Sequence, residues 1–179
     1  MEIKEKILQK SEELFLRYGL KSVTMDDLAR QLGVSKKTLY QFVENKADLV
    51  EKIILMHIAA EKALMEEVRA KSGDAVEEMI QIARYAIQQL RKLSPTLVYD
   101  LQKYYQNAWQ LIQNLRSVHV HSLIRDNIER GIEQGVYRSD LDAAIIAKIY
   151  VLGTLAIVCL LYTSPSPRDA TLSRMPSSA

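Results

Sequence analysis

Apolar residues recur along most of this chain at helical spacing, and no segment alternates apolar and polar positions as a half-buried strand would. Ile3, Ile7, Leu14 and Tyr18, with Leu8 and Phe15 beside them, form the apolar stripe of a first helix. Leu28, Ala29 and Leu32 give a second, shorter helix one buried face. Thr24 opens it, with Asp27 three residues on in a capping-box pattern, and Gly33 ends it where positive φ is favoured. Val34 can plug the angle between this helix and the next, and Ser35 caps a third helix whose Leu39 and Val43 point inward. A fourth helix starts at the Asn45-Lys-Ala-Asp48 cap and runs to about Ala70, with Leu49, Ile53, Met56 and Ala60 inward. Ser72-Gly73-Asp74 breaks it. A fifth, over about 75–93, carries Val76, Met79, Ile80, Ala83, Ile87 and Leu90. Pro95 suits the first position of the next helix. Residues 96–134 predict one short helix and one long one, with a break near Gln106-Asn107 and with Gly131 and Gly135 bracketing the end of the long one. Ser139 or Asp140 caps the last helix, over about 141–162. The predicted fold class is all-α.

The last helix and the residues after it differ in kind. Ile149 to Tyr162 is an apolar run interrupted only by Gly153 and Thr154. It spans about fourteen residues, whereas a membrane span needs roughly twenty. A helix apolar on all sides is buried against partners on more than one side, so the expectation is a subunit interface and not a membrane segment. Residues 163–179 are rich in Ser and Pro, hold three of the chain's four prolines and show no apolar period. This segment reads as a non-native or disordered tail: it resembles translated adaptor or vector sequence, the other reading being a native disordered tail.

Composition narrows the class without fixing it. Charged residues make up 26% and apolar ones 48%, both near globular averages. Net charge is only +2, so no polycationic arm points to nonspecific binding. The positive charge is local instead: Arg30, Lys36, Lys37 and Lys46 surround the third helix, against Glu44 nearby. The single cysteine, Cys159, cannot form an internal disulfide, and the first residues lack a signal-peptide apolar core, so a reducing, cytoplasmic setting is expected.

Candidate chemistry concentrates on the third helix. Lys36, Lys37, Thr38, Tyr40 and Gln41 crowd its first turn and outer face. Lysines, hydroxyls and a helix N-terminus suit phosphate oxygens, while the Gln amide matches adenine bidentately and Thr reaches either kind of base edge. Any one of these residues alone is ordinary solvated surface. Together, behind a Gly-containing turn, they predict a helix-turn-helix whose second helix enters the major groove.

Through Ile7, Leu14, Phe15 and Gly19, then Thr24, Leu28, Ala29, Gly33, Val34 and Ser35, then Thr38-Leu39-Tyr40, Lys46 and Leu49, the chain resembles the TetR family of transcriptional regulators. The match is dense over about the first fifty residues; the remainder is similar in architecture only. It implies a DNA-binding helix-turn-helix domain over 1–47, a helical effector-binding and dimerisation domain over 48–162, and the tail over 163–179. The expected DNA-contacting residues are Thr24, Ser35, Lys36, Lys37 and Thr38, with Tyr40, Gln41, Phe42 and Lys46. Three positions depart from the family: Lys37 stands where Gly is frequent, Phe42 where His or Tyr is, and Val43 where Phe is usual. The resemblance also implies a double-stranded operator, a homodimer built from the last two helices, a small-molecule effector, and repression as the mode of action. Here the family's final helix is expected to be missing, so this form is expected to dimerise weakly or aggregate where a longer native form dimerises stably.

In this family the equivalent helices surround a ligand cavity. Tyr99, Tyr104, Tyr105 and Trp109 concentrate aromatic surface there, with Tyr85 and Tyr150 on neighbouring helices; the expected lining is Tyr85, Tyr99, Tyr104, Trp109 and Tyr150, although aromatic residues at helical spacing also serve as core. No cofactor and no metal is expected: His119 and His121 point to different faces of a helix, and no ligand set at zinc spacing includes them or His57. The chain contains no phosphate loop, nucleophile elbow or HExxH motif, which argues against an enzyme. The second reading is a helical interaction module that keeps the fold without specific DNA binding.

Overall fold

A computed structural model of the chain describes residues 3–163, and no strand occurs among them. The expected tail therefore lies outside the described residues, apart from Thr163 at the end of the last helix. The helices are α1 (Ile3–Tyr18), α2 (Met25–Leu32), α3 (Lys36–Leu39), α4 (Lys46–Lys71) and α5 (Ala75–Lys92), then α6 (Pro95–Tyr104), α7 (Gln106–Asn114), α8 (His121–Glu133) and α9 (Ala143–Thr163). A π-helical stretch, Leu115–Val120, joins α7 to α8 without a break.

Local chemistry accounts for most of these boundaries. Asn45, Asp74 and Ser94 each accept a hydrogen bond from the backbone N–H three residues on, capping α4, α5 and α6, and Pro95 occupies the first turn of α6. The predicted break near 106 falls at Tyr105, whose φ of −130° and ψ of 58° leave the helical region. Asp142, not Ser139 or Asp140, caps α9, its carboxylate accepting the Ile145 N–H at 3.0 Å; Asp140 instead pairs with Arg138. Gly135, at φ 72°, ends the long helix, whereas Gly131 lies inside α8.

Two apolar clusters hold the bundle. The first joins Ile7, Phe15, Leu28, Leu39 and Leu49 of the four N-terminal helices to Leu97, Leu101 and Ala108 of α6 and α7. The second joins Met65 of α4, Ile82 of α5, Ile124 and Ile128 of α8, and Ala147 of α9. The first helix buries only the middle of its predicted stripe, leaving Ile3 and Tyr18 exposed. Ala60 on α4 is likewise exposed, because by that point α4 has passed the first cluster and turns Met65 into the second. On α5 the core takes Ile82, while Val76, Ile80 and Ile87 face outward. Among the described residues no helix is long and apolar enough to cross a membrane.

A buried polar joint ties α5 to α8. Glu78 and Asn127 are both almost fully buried, and the Asn127 amide donates to the Ala75 carbonyl at 2.9 Å and to the Glu78 carboxylate at 2.5 Å. Arg130 pairs with the same carboxylate. The Tyr137 hydroxyl donates to the Ala75 carbonyl at 3.0 Å, its ring lying over Gly131. The buried Glu78 carboxylate is tolerated because Asn127 and Arg130 both hydrogen-bond it, although the buried Arg130 Nε has no partner among the described residues.

Candidate nucleic-acid interface

The turn between α2 and α3 is built by three local devices. The Thr24 hydroxyl accepts the Asp27 N–H at 3.1 Å and donates to the Asp27 carboxylate at 2.6 Å, and that carboxylate also accepts the Thr24 N–H, closing a capping box. The Thr24 side chain and backbone bonds hold the Asp27 carboxyl below its usual range, so the cap is in place at neutral pH. Gly33 sits at φ 67°, ψ 29°, and its N–H with that of Val34 closes the helix end on Arg30 and Ala29. The Ser35 side chain then accepts the Thr38 N–H at 3.0 Å, starting α3.

The α-helical part of α3 is a single turn, continued to Val43 by the hydrogen bonds Gln41 to Thr38 and Phe42 and Val43 to Leu39. Leu39 is fully buried and pins this segment to the first cluster. Ser35, Lys36, Lys37, Tyr40 and Gln41 are exposed, and Thr38 and Phe42 are half-buried. The Thr38 hydroxyl shares a 2.7 Å hydrogen bond with that of Ser35, and Lys36 pairs with Asp26 at 2.6 Å, a contact that raises the lysine's pKa. Gln41 and Lys37 stand unobstructed on the outer face. Phe42 packs against the first cluster with its ring half-covered.

Lys46 is placed differently from the other cations. It opens α4, but its ammonium donates to the Leu20 carbonyl and lies 5.6 Å from the centre of the Phe15 ring. Burial pushes its pKa down, partly offset by Asp100 and Asp27. In the free protein it therefore braces α4 against the loop after α1. Behind the head, His57 of α4 bonds Glu12 of α1 at 2.7 Å, a contact that raises the imidazole pKa.

A cleft of about 190 Å³ opens between α4, α5, the π-helical stretch and α9. Of the expected lining, Tyr85 and Tyr150 are in its wall. Tyr99 and Tyr104 are not: they stack edge to face at 6.5 Å on the exposed side of α6, with the Lys103 ammonium over both rings. Trp109 is also elsewhere, packed on the first cluster. The sequence pattern did not single out Glu61 and Arg116, polar groups in the wall, because nothing in a helical surface pattern separates a cavity-facing charge from a solvated one. Leu93 and Ile112 line this cleft and also a second, apolar one of about 120 Å³ that reaches Phe15, Leu16 and Leu20 of the head.

Comparison with known proteins gives a consistent picture. Residues 7–53 match the family described as "Bacterial regulatory proteins, tetR family". The HTH-type transcriptional regulator YhgD of Bacillus subtilis (strain 168) is 28% identical over 162 residues, 83% of this chain and 80% of the relative. Among solved structures, a TetR-family transcriptional regulator from Agrobacterium tumefaciens aligns with a TM-score of 0.68 at 18% identity, over 98% of each chain. Escherichia coli NemR in its reduced form gives 0.72 at 17% identity, over 96% of this chain and 93% of that one. At these identities the structural likeness shows the fold alone.

Proposed function

Since the chain belongs to the TetR family of bacterial regulatory proteins, we propose that it is a cytoplasmic, dimeric, ligand-responsive repressor of a palindromic operator. Residues 1–47 form its DNA-binding head and residues 48–162 its effector and dimer body. The observation that carries the reading is the exposed face of α3, where Lys36, Lys37, Tyr40 and Gln41 stand together beyond the Gly33 turn while Leu39 anchors the segment from behind. Lysines there contact phosphates, and Gln41 reads a base edge. Thr24 and Ser35 contribute by capping the two helices and presenting their N-termini.

A ligand response is supported by the shared wall of the two clefts. A molecule seated beside Tyr85 and Tyr150 touches Leu93 and Ile112, and the same two residues also line the cleft that reaches Phe15, Leu16 and Leu20 of the head. Displacing them alters how α1 sits on the body, and with it the separation of two heads in a dimer.

The test is a titration against the DNA upstream of the protein's own gene and against scrambled DNA at one fixed salt concentration. Specific binding should exceed nonspecific by roughly 10³-fold or more. Equal affinity for both would favour a helical interaction module that has kept only the fold.

A further inference from the structure

The cleft between α4, α5 and α9 is mainly apolar, lined by side chains such as Met65, Ile82, Leu123 and Val151, with Gln89, Arg116 and Thr154 among its polar residues. Into this wall α4 places Glu61, a carboxylate with no hydrogen bond or ion pair among the described residues. Every other charge in reach is already engaged. Arg116, in the same wall, donates to the Thr154 hydroxyl at 2.8 Å, and His57, one turn back along α4, is bonded to Glu12. Burial raises the Glu61 pKa, with His57 and Arg116 opposing the shift, and the Tyr85 phenol is close enough to feel the carboxylate. Tyr85 and Tyr150 add aromatic surface to the same space. The wall also includes the π-helical stretch, through Leu115, Arg116 and Val120; such stretches inside helices are frequent at functional sites.

We propose that this cleft selects a small organic cation, an amine carried on an apolar or aromatic body, with Glu61 pairing its ammonium and Tyr85 and Tyr150 flanking it. The inference rests on the reading of this cleft as the effector site. Glu61 is half-buried, so its carboxylate is costlier to ionise than a fully solvated one, and a cation in the cleft supplies a direct partner where water screens the pair less than in bulk. Aromatic faces beside a carboxylate add cation–π attraction for the same charge. The size agrees: an apolar cavity of roughly 150 Å³ holds benzene, and this one has about 190 Å³.

Three probes of nearly equal size and different charge separate the possibilities: 2-phenylethylamine, 2-phenylethanol and phenylacetic acid, each titrated calorimetrically into the 179-residue chain at neutral pH. The amine should bind at least tenfold more tightly than either of the others. Glu61→Gln, with its thermal unfolding recorded alongside, should bring amine and alcohol to the same affinity. Ala86→Leu, which adds bulk to the wall, should weaken the amine; no change would put the binding elsewhere and overturn the proposal. Tightest binding of the acid would assign control to Arg116, and equal binding of amine and alcohol to the wild-type chain would leave the carboxylate without a role. Either result overturns the cation while leaving the effector site standing. If none of the three bound at millimolar concentration, the cation and the effector-site reading would both fall.

Discussion

Gly33 holds φ 67°, and a Cβ built on it meets no atom within 4 Å, so any cost of substitution there is conformational and not steric. A left-handed backbone costs a residue with a Cβ roughly 1–2 kcal/mol, more for a β-branched one. Gly33→Val should therefore loosen the head, lowering DNA affinity and the protection of head amides from hydrogen exchange, while the helices after about residue 70 stay protected. Unchanged affinity and protection would remove the turn from its proposed role. On the DNA face, Gln41 and Lys46 should behave differently. Gln41→Ala should cost about 1–3 kcal/mol at one base pair and relax preference there; equal loss on operator and random DNA would refute base reading. Lys46→Ala should weaken binding to all sequences alike and reduce the salt slope by about one, which requires its ammonium to leave the Leu20 carbonyl when DNA arrives. An unchanged slope with lowered stability would mean the lysine is only a brace. At this scale the sequence was informative where the chemistry is local. Thr24, Gly33, Ser35 and Asn45 act within three or four residues of themselves, so their roles could be read in order along the chain, whereas Asp74 and Ser94, whose side chains cap α5 and α6, sit in segments read only as helix breaks. The inward turn of Lys46 depends on Leu20, 26 residues away, and no local pattern announces it.

At the scale of elements, helical periodicity located every helix but did not say which side of each was covered. Val76, Ile80 and Ile87 recur at helical spacing on α5 and yet face outward, since the neighbouring α8 takes Ile82 and Glu78 instead. Glu78 is a polar residue in the core, which binary patterning assigns to the surface; its burial is explained only by Asn127 and Arg130, which approach from α8. The aromatic expectation failed in part for the same reason. Tyr99 and Tyr104 lie on the outer side of α6, while Tyr85 and Tyr150 face a space defined by helices distant in sequence. Gly131 shows how tightly the α5–α8 joint is fitted. A Cβ there would stand 2.1 Å from the Tyr137 ring, so Gly131→Ala must push the ring off its seat and strip the hydroxyl from Ala75 and Asn127. Overpacking and the lost hydrogen bonds together should lower unfolding stability by about 2–3 kcal/mol. Tyr137→Phe, which keeps the ring, should cost about 1 kcal/mol. In a Tyr137→Ala background the Gly131→Ala penalty should nearly vanish, because the two act through one contact. A penalty that persisted there would place the strain in α8 itself. Denaturant melts of the wild-type chain and these variants decide the matter.

For the whole molecule, the two clusters set the mechanical layout. The first binds the head to α6 and α7, and the second binds the far ends of α4 and α5 to α8 and α9, so α4 is the one helix common to both. In the proposed ligand-responsive reading, the routes from cleft to head are α4 and the residues shared by the two clefts. Over its first, described turns α9 is packed on one side. Ala147 is fully buried against α8, but Ile145, Ile149 and Leu152 are 56%, 62% and 56% exposed. These three recur at intervals of four and three, which puts them on one stripe of the helix. A contiguous apolar stripe on a monomer is a liability unless a partner covers it, and a two-fold operator requires two heads at a fixed separation. A second copy meeting the first across this stripe satisfies both demands, since a two-fold contact uses the same patch on each subunit. Sedimentation of the chain should therefore show self-association that Ile149→Glu, a charge at the most exposed of the three positions, weakens at least tenfold. The same variant should bind an isolated half-operator as the wild-type chain does and lose the added affinity for the full palindrome, because the head is untouched and only the pairing of heads is removed. If Ile149→Glu left sedimentation and palindrome binding unchanged, the dimer would have to form on another face, with the exposed Val76, Ile80 and Ile87 stripe of α5 the next to be tested.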